Sequence, residues 1–137
     1  EDTIVLAGRL KERGVDMFDC SSGGIDGPLT LHVVPRVPGY HVPFARRIRE
    51  EVGIPSMAVG LIREARQAEG YLRAGDCDLV ALAREMMWNP NWAAHAAREL
   101  GMARPHELLP QNYAWWLQKR EETLELSRTS THEQPIS

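Results

Sequence analysis

Apolar and polar positions fall into blocks along this chain, and the blocks change period at glycines. Ile4, Val5, Leu6 and Leu10 are apolar, and Lys11, Glu12 and Arg13 are polar before Gly14. That spacing predicts a helix over 1–13 capped by Gly14. VDMFDC at 15–20 follows at once as a strand, and Ser21-Ser22-Gly23-Gly24 reads as a turn. Residues 25–42 carry Gly27, Pro28, Pro35, Pro38 and Gly39 with no steady period. This is a long loop of the kind that serves function or stays disordered. Pro43 opens the next helix, where its missing N–H costs nothing. Phe44, Ala45, Ile48 and Val52 line one side of it, Arg46, Arg47, Arg49 and Glu50 face water, and Gly53 ends it. A second strand is expected at 54–59 with its turn at Gly60, then a helix over 63–74 ending at Gly75, and a third strand at 76–83. Another helix runs from 90 or 91 to 101, with Trp92, Ala93, Ala96, Ala97 and Leu100 as its apolar content. Pro105 and Pro110 interrupt the chain before a final helix at about 113–126, and 127–137 reads as a frayed polar end.

Helices and short apolar strands thus alternate, with no two-residue hairpins between strands. That order is the signature of parallel βαβ units. Three strands cannot close a barrel and would leave two raw edges. Either a second copy completes the sheet, or the chain is part of a larger (β/α)8 barrel. The opening at Glu1, in what reads as mid-helix and without an initiator Met, leads us to expect a piece of a longer polypeptide.

Composition narrows the function classes. The chain has 137 residues, enough for one domain with a core, and its 43% hydrophobic and 26% charged content is ordinary for a globular protein. A net charge of −3 gives no general attraction to nucleic acid. No apolar run approaches the roughly 18 residues of a membrane span, and no signal-peptide pattern precedes Val5. Cys20 and Cys77 are far apart and neither has a CxxC partner, so neither a zinc site nor a disulfide framework is indicated. A reducing, cytoplasmic setting is expected.

The candidate chemistry centres on DLVALAREMMWNP at 78–90. An apolar strand that delivers an Arg just before a helix is suited to hold an anion. The strand fixes the Arg backbone, the guanidinium forks onto two oxygens, and the helix N-terminus adds partial positive charge. In parallel α/β folds ligands sit at the carboxyl ends of strands. A phosphate-bearing ligand at Ala83-Arg84 is therefore the first expectation; the plainer reading is that Arg84 pairs with a carboxylate such as Glu85. Gly60 lets backbone N–H groups approach a ligand closely, or simply makes a turn. Arg63 is a further cation for the same anion. Ser21 and Ser22 could touch ligand, although turn chemistry is the commoner use. Cys20 reads as a buried strand residue with no adjacent cation to activate it. Met86, Met87, Trp88 and Trp92, at helical spacing, read as core. Arg46, Arg47 and Arg49 read as a solvated helix face.

The segments VDMFDCSSGG, PGYHVPFARRIREEVGIPSMAVG, GDCDLVALAREMMWNPNW and LLPQNYAWWLQ resemble the old yellow enzymes, flavin-dependent ene-reductases, and most of all their bacterial thermophilic-like subgroup, which includes xenobiotic reductase. The blocks match in order and spacing over about residues 1–120. The resemblance implies an α/β fold that is the C-terminal part, about strands 6 to 8 with their helices, of a (β/α)8 TIM barrel, with 121–137 as a polar tail. It implies non-covalent FMN, NAD(P)H as reductant, a small enone substrate and a homo-oligomer, dimer or tetramer, with neither nucleic acid nor membrane as partner.

The same resemblance assigns residues. The family's phosphate site, usually Gly-Arg, is Ala83-Arg84 here, so the Arg is retained and a Cβ is tolerated only where φ is negative. Gly60 stands where backbone N–H groups reach the same phosphate. Val59 stands where xenobiotic reductase carries a Trp over the active site, which implies a roomier pocket. Leu61 and Ile62 fall near the flavin's dimethylbenzene edge, or in the core. The substrate-holding His/His or His/Asn pair and the proton-donating Tyr lie in earlier strands, so no catalytic residue is expected in this chain. His32 and His41 are not candidates for that role. Trp116 is expected to cross a dimer interface and wall the partner's pocket, while Trp115 packs closer to home. Trp115 replaces an Arg found nearby in other members, so no arginine finger is expected. A different phosphate-binding barrel enzyme, such as an aldolase or isomerase, and an inactive self-associating fragment are the competing readings.

Overall fold

The computed structural model describes residues 2–21 and 37–131, with the backbone alone for 129–131. Ser22, His32 and most of the long loop lie outside the described residues. The chain divides into two units, 1–90 and 91–137.

The first unit is helix and parallel sheet. Helix α1 (Asp2–Lys11) leads to β1 (Phe18–Cys20), α2 (Val42–Val52) to β2 (Ser56–Ala58), and α3 (Ala65–Ala74) to β3 (Leu79–Val80), followed by the short α4 (Arg84–Trp88). The strands lie side by side in sequence order, both pairs parallel, with Phe18 opposite Ser56, Met57 opposite Leu79 and Ala58 opposite Val80. The expected parallel α/β arrangement is therefore present, as a sheet of three strands among the described residues. The strands are shorter than the apolar runs suggest. Beyond the ladder only single bonds continue it, such as the Ala81 N–H to the Ala58 carbonyl at 2.8 Å.

Helix α1 ends as expected, with the Gly14 and Val15 N–H groups reaching back to Lys11 and Leu10. The same paired closure ends α3 at Gly75 and Asp76. The core joins Ala7 of α1 to Ile48 of α2 and Ile54 ahead of β2, with Ile4, Val15, Phe18, Cys20 and Val52 packed around them. Burying Ile48 and Ile54 contributes roughly 1.5–3 kcal/mol each relative to exposure. Ala45 and Ile48 are buried on the expected side of α2, joined by Val42, whereas Phe44, also expected there, is exposed. Lys11 Nζ donates to the Val52 and Gly53 carbonyls, both at 2.9 Å, and so closes the C-terminus of α2.

The arginine face of α2 does more than meet water. Arg46 and Arg47 pair with Glu50 and Glu51 one turn on. Arg49 crosses to Asp78, its Nε donating to both carboxylate oxygens at 3.1 Å, and Asp78 Oδ2 also accepts the Ser56 N–H at 3.0 Å. This clamp ties α2, β2 and the start of β3 at the end of the sheet opposite the strand C-termini. The Ser56 N–H, and then Arg49, hold the Asp78 carboxyl below its usual range.

The second unit is helical. Helix α5 (Trp92–Glu99) closes at Gly101 and Met102, whose N–H groups bond Arg98 and Ala97. A 3-10 turn at Pro105–Leu108 leads to α6 (Gln111–Thr131). Ala94 and Ala96 are the buried positions of α5, whereas Ala93 and Leu100 are exposed. Arg98 pairs with Glu121, and His106 Nε2 lies 3.9 Å from the same carboxylate. Helix α6 runs unbroken past position 121 and over 127–131, the described part of the stretch expected to fray.

Candidate functional site

The carboxyl ends of β2 and β3 open on one cavity of about 450 Å³. Val59, Gly60, Leu61, Ile62 and Arg63 line it from the loop after β2, and Ala81 to Glu85 with Trp88 line it from the segment after β3; Tyr40 completes it. Val59, Gly60, Ala83, Arg84 and Arg63, singled out separately in the sequence, thus meet in one place. Trp116 belongs to the second unit.

The loop after β2 has an unusual backbone. Gly60 has φ +119° and Leu61 φ +51°, two successive residues in conformations that L side chains disfavour. At Gly60 a Cβ would come within 2.9 Å of Tyr40 Cε1, so both φ and space demand glycine. The Gly60 carbonyl accepts the Gly39 N–H at 2.7 Å, which seats the 38–40 turn on this loop. Ala83 has φ −109°, a negative value that an L side chain tolerates, so on φ alanine meets the condition set for it.

Arg84 is exposed, and among the described residues the ion pairs do not include it. The plainer reading, a pair with Glu85, is therefore not what the structure adopts. One expectation is corrected. Helix α4 has only five residues, too few aligned peptide dipoles to add much charge at its start. Any anion here would be held by the guanidinium of Arg84, by Arg63 and by backbone N–H groups. A second correction concerns the Met/Trp group: Met87 and Trp88 are 81% and 85% exposed rather than core.

Ser21 lies elsewhere. With Thr3, Ile4, Cys20 and Phe44 it lines a separate cavity of about 410 Å³ at the end of β1. Cys20 is half-buried and Cys77 buried; burial first, then neighbouring Asp19 and Cys77, pushes the Cys20 thiol up, and burial pushes Cys77 up against a bond from Ala58. Neither thiol is activated. His41 is buried beside Tyr40 and Phe44, with ring centroids 4.1 and 5.9 Å away. Among the described residues no three His, Cys, Asp or Glu side chains cluster to hold a metal, and no helix is long and apolar enough to cross a membrane.

In the second unit Trp115 and Trp116 meet edge to face, centroids 4.5 Å apart at 84°. They are 53% and 68% exposed, and Tyr113 beside them is also exposed.

Sequence reasoning passed over Tyr40, Gln67 and Tyr71. Gln67 Oε1 accepts the Arg63 N–H at 3.1 Å, and its Nε2 faces the Leu61 carbonyl at 3.5 Å and the Tyr71 hydroxyl at 3.2 Å. A Gln in the first turn of a helix, reaching back before its start, is the one local signal that was present.

A parallel α/β sheet with a cation and a glycine loop converging at its carboxyl edge is the arrangement at which α/β folds place ligands. No family model matches the chain. Curated proteins do. An NADPH dehydrogenase of Geobacillus sp. (strain WCH70) is 50% identical over 101 residues, 74% of this chain and 28% of the relative. The NADPH dehydrogenase of Geobacillus thermodenitrificans (strain NG80-2) is 49% identical over 102 residues, 74% of this chain and 29% of its own length. That of Listeria monocytogenes serotype 4b (strain CLIP80459) is 43% identical over 102 residues, with the same shares. The chain is a homologue of part of these NADPH dehydrogenases of the old yellow enzyme family. It spans less than a third of the length of the curated relatives it matches.

Proposed function

We propose that the protein to which this chain belongs is an FMN-dependent ene-reductase on a (β/α)8 barrel, and that this chain contributes about strands 6 to 8 with part of the FMN phosphate site. The observation that carries the proposal is the convergence of Gly60 and Arg84, which has no ion pair among the described residues, in one cavity at the strand ends. The residues fit a phosphate. Arg84 offers a planar fork to two oxygens. Gly60 presents backbone without a Cβ, and Ala83 has the negative φ at which a Cβ is tolerated. Arg63 supplies a second positive charge at the rim. When bound, the flavin supplies the hydride relay from NADPH to the β-carbon of an α,β-unsaturated carbonyl compound. The relatives' name favours NADPH over NADH, and an oxidoreductase over an aldolase or isomerase. This chain's residues bind and orient; the groups that hold the substrate oxygen and donate its proton belong to the rest of the protein. Val59 leaves room over the substrate side.

The second unit serves assembly in this reading. Exposed Trp116, with Tyr113 and Trp115, forms an aromatic anchor of the kind that dominates interfaces, and it crosses to a second copy in a cytoplasmic dimer or tetramer. The test of the whole reading is the full-length protein. It should be yellow, with flavin absorbance at about 450 nm, release FMN on denaturation, and consume NADPH when a cyclic enone is added. A colourless protein that cannot be reconstituted with FMN sinks the proposal.

A further inference from the structure

Gln67 sits at the third position of α3, and its amide is oriented without ambiguity. Its Oε1 must face the Arg63 N–H, a fixed donor, so its Nε2 faces the Leu61 carbonyl, a fixed acceptor. The second Nε2 hydrogen then goes to the Tyr71 oxygen, and the Tyr71 hydroxyl donates in turn to the Pro38 carbonyl at 3.4 Å. Every donor in this relay has an acceptor. It grips the loop after β2 from both sides of Ile62, where Leu61 holds its disfavoured positive φ. At its far end it holds the 38–40 turn, which itself bonds Gly60 through the Gly39 N–H and covers it with the Tyr40 ring. A Cβ at Gly39 would collide with the Tyr71 hydroxyl, so the turn is fitted against the relay.

We infer that Gln67 is the positioning residue of the anion loop: through Arg63, Leu61 and Tyr71 it sets the Gly60–Arg63 backbone in the conformation that receives the phosphate before any ligand arrives. The inference rests on the FMN reading above. An ordinary helix-capping Gln reaches back to one N–H and stops there. Gln67 also holds the carbonyl of a strained residue and a hydroxyl on the next turn, which capping does not require. A preset loop binds more tightly because ordering is not left to the binding step.

The experiment uses full-length protein stripped of flavin, titrated with FMN and with riboflavin, which lacks the phosphate. Gln67→Leu keeps side-chain bulk and removes every polar contact. It should raise the Kd for FMN about tenfold, the size expected from losing one or two hydrogen bonds, and leave the Kd for riboflavin within about twofold. Amide exchange at Arg63 in the flavin-free protein should speed up about tenfold, since its acceptor is gone. Tyr71→Phe should loosen 38–40 while Arg63 stays protected. An unchanged FMN-to-riboflavin preference in Gln67→Leu, or unchanged protection of Arg63, overturns the inference. Arg84→Ala separates the two readings. If it leaves FMN affinity intact, the phosphate reading falls, and Arg63 exchange still decides whether Gln67 sets the loop.

Discussion

Gly60→Ala is the sharpest perturbation of the loop after β2. Two independent costs attach to the added methyl. The first is conformational: φ at Gly60 is +119°, a region essentially reserved for glycine, and forcing another residue there costs about 1–3 kcal/mol. The second is steric. The Cβ would lie 2.9 Å from Tyr40 Cε1, 3.0 Å from Cδ1 and 3.3 Å from Cζ. Tyr40 cannot swing freely, because its ring rests on buried His41 at 4.1 Å and its turn is held by the Gly39–Gly60 bond. Overpacking of this kind costs about 1–3 kcal/mol. Tyr40 is only half-buried and gives a little, so the combined loss falls at about 2–4 kcal/mol. In full-length protein the strained loop relaxes away from its binding form, and FMN affinity drops about 30- to 1000-fold. Fluorescence titration of FMN reads the loss. The double variant Gly60→Ala/Tyr40→Ala should recover the steric share and leave the φ share, so a double-mutant cycle separates them. If Gly60→Ala binds FMN within about threefold of the parent, the loop does not depend on the glycine and the reasoning fails.

Three further outcomes are expected. The Asp78 carboxyl is held below its usual value by the Ser56 N–H and then Arg49, so the clamp's stability is present above the unfolded-state value of about 3.9 and is lost as pH falls through the lower folded value. Asp78→Asn should flatten this acid limb in urea titrations between pH 5 and 2, roughly the window for a carboxylate of depressed pKa; an unchanged slope would remove Asp78 from the account. The 137-residue chain alone, with β1 and β3 unpaired on their outer sides among the described residues and Val5, Leu6, Leu79, Met87 and Trp88 exposed, should self-associate, and light scattering that finds a stable monomer would contradict that. In full-length protein, Trp116→Ala should weaken the dimer by about 2 kcal/mol and raise KM for enones with FMN affinity intact; sedimentation and steady-state kinetics showing a normal dimer and normal KM would confine the segment to capping its own helix.

The order of helices and parallel strands was legible because glycines punctuate it: Gly14, Gly53 and Gly75 each stand just past a helix, and short apolar runs follow. The meeting of Gly60 with Arg84 was legible too, since strand ends on one edge of a parallel sheet must converge. What stayed hidden depends on partners distant in sequence. Arg49 looked like one of three solvated arginines, and only the fold brings Asp78 to it, 29 positions away. Tyr71 and Pro38 are 33 positions apart, so no local pattern announces their bond. Met87 and Trp88 were read as core from composition and spacing alone, whereas among the described residues they stand on a five-residue helix and are largely exposed. Strand lengths were overestimated for a related reason. An apolar run marks where burial is possible, but the ladder extends only where a neighbouring strand pairs with it.

The central claim is that Arg84 and the Gly60 loop hold the phosphate of FMN. The most direct test is the affinity of full-length Arg84→Ala for FMN and for riboflavin, measured beside the parent protein. The account predicts a loss of about 2–5 kcal/mol for FMN, as for truncating one partner of a desolvated charge pair, with Arg84→Lys also impaired because a point charge cannot fork across two oxygens, and riboflavin binding unchanged. Equal FMN affinity in parent and Arg84→Ala, or an equal loss for FMN and riboflavin, would contradict it.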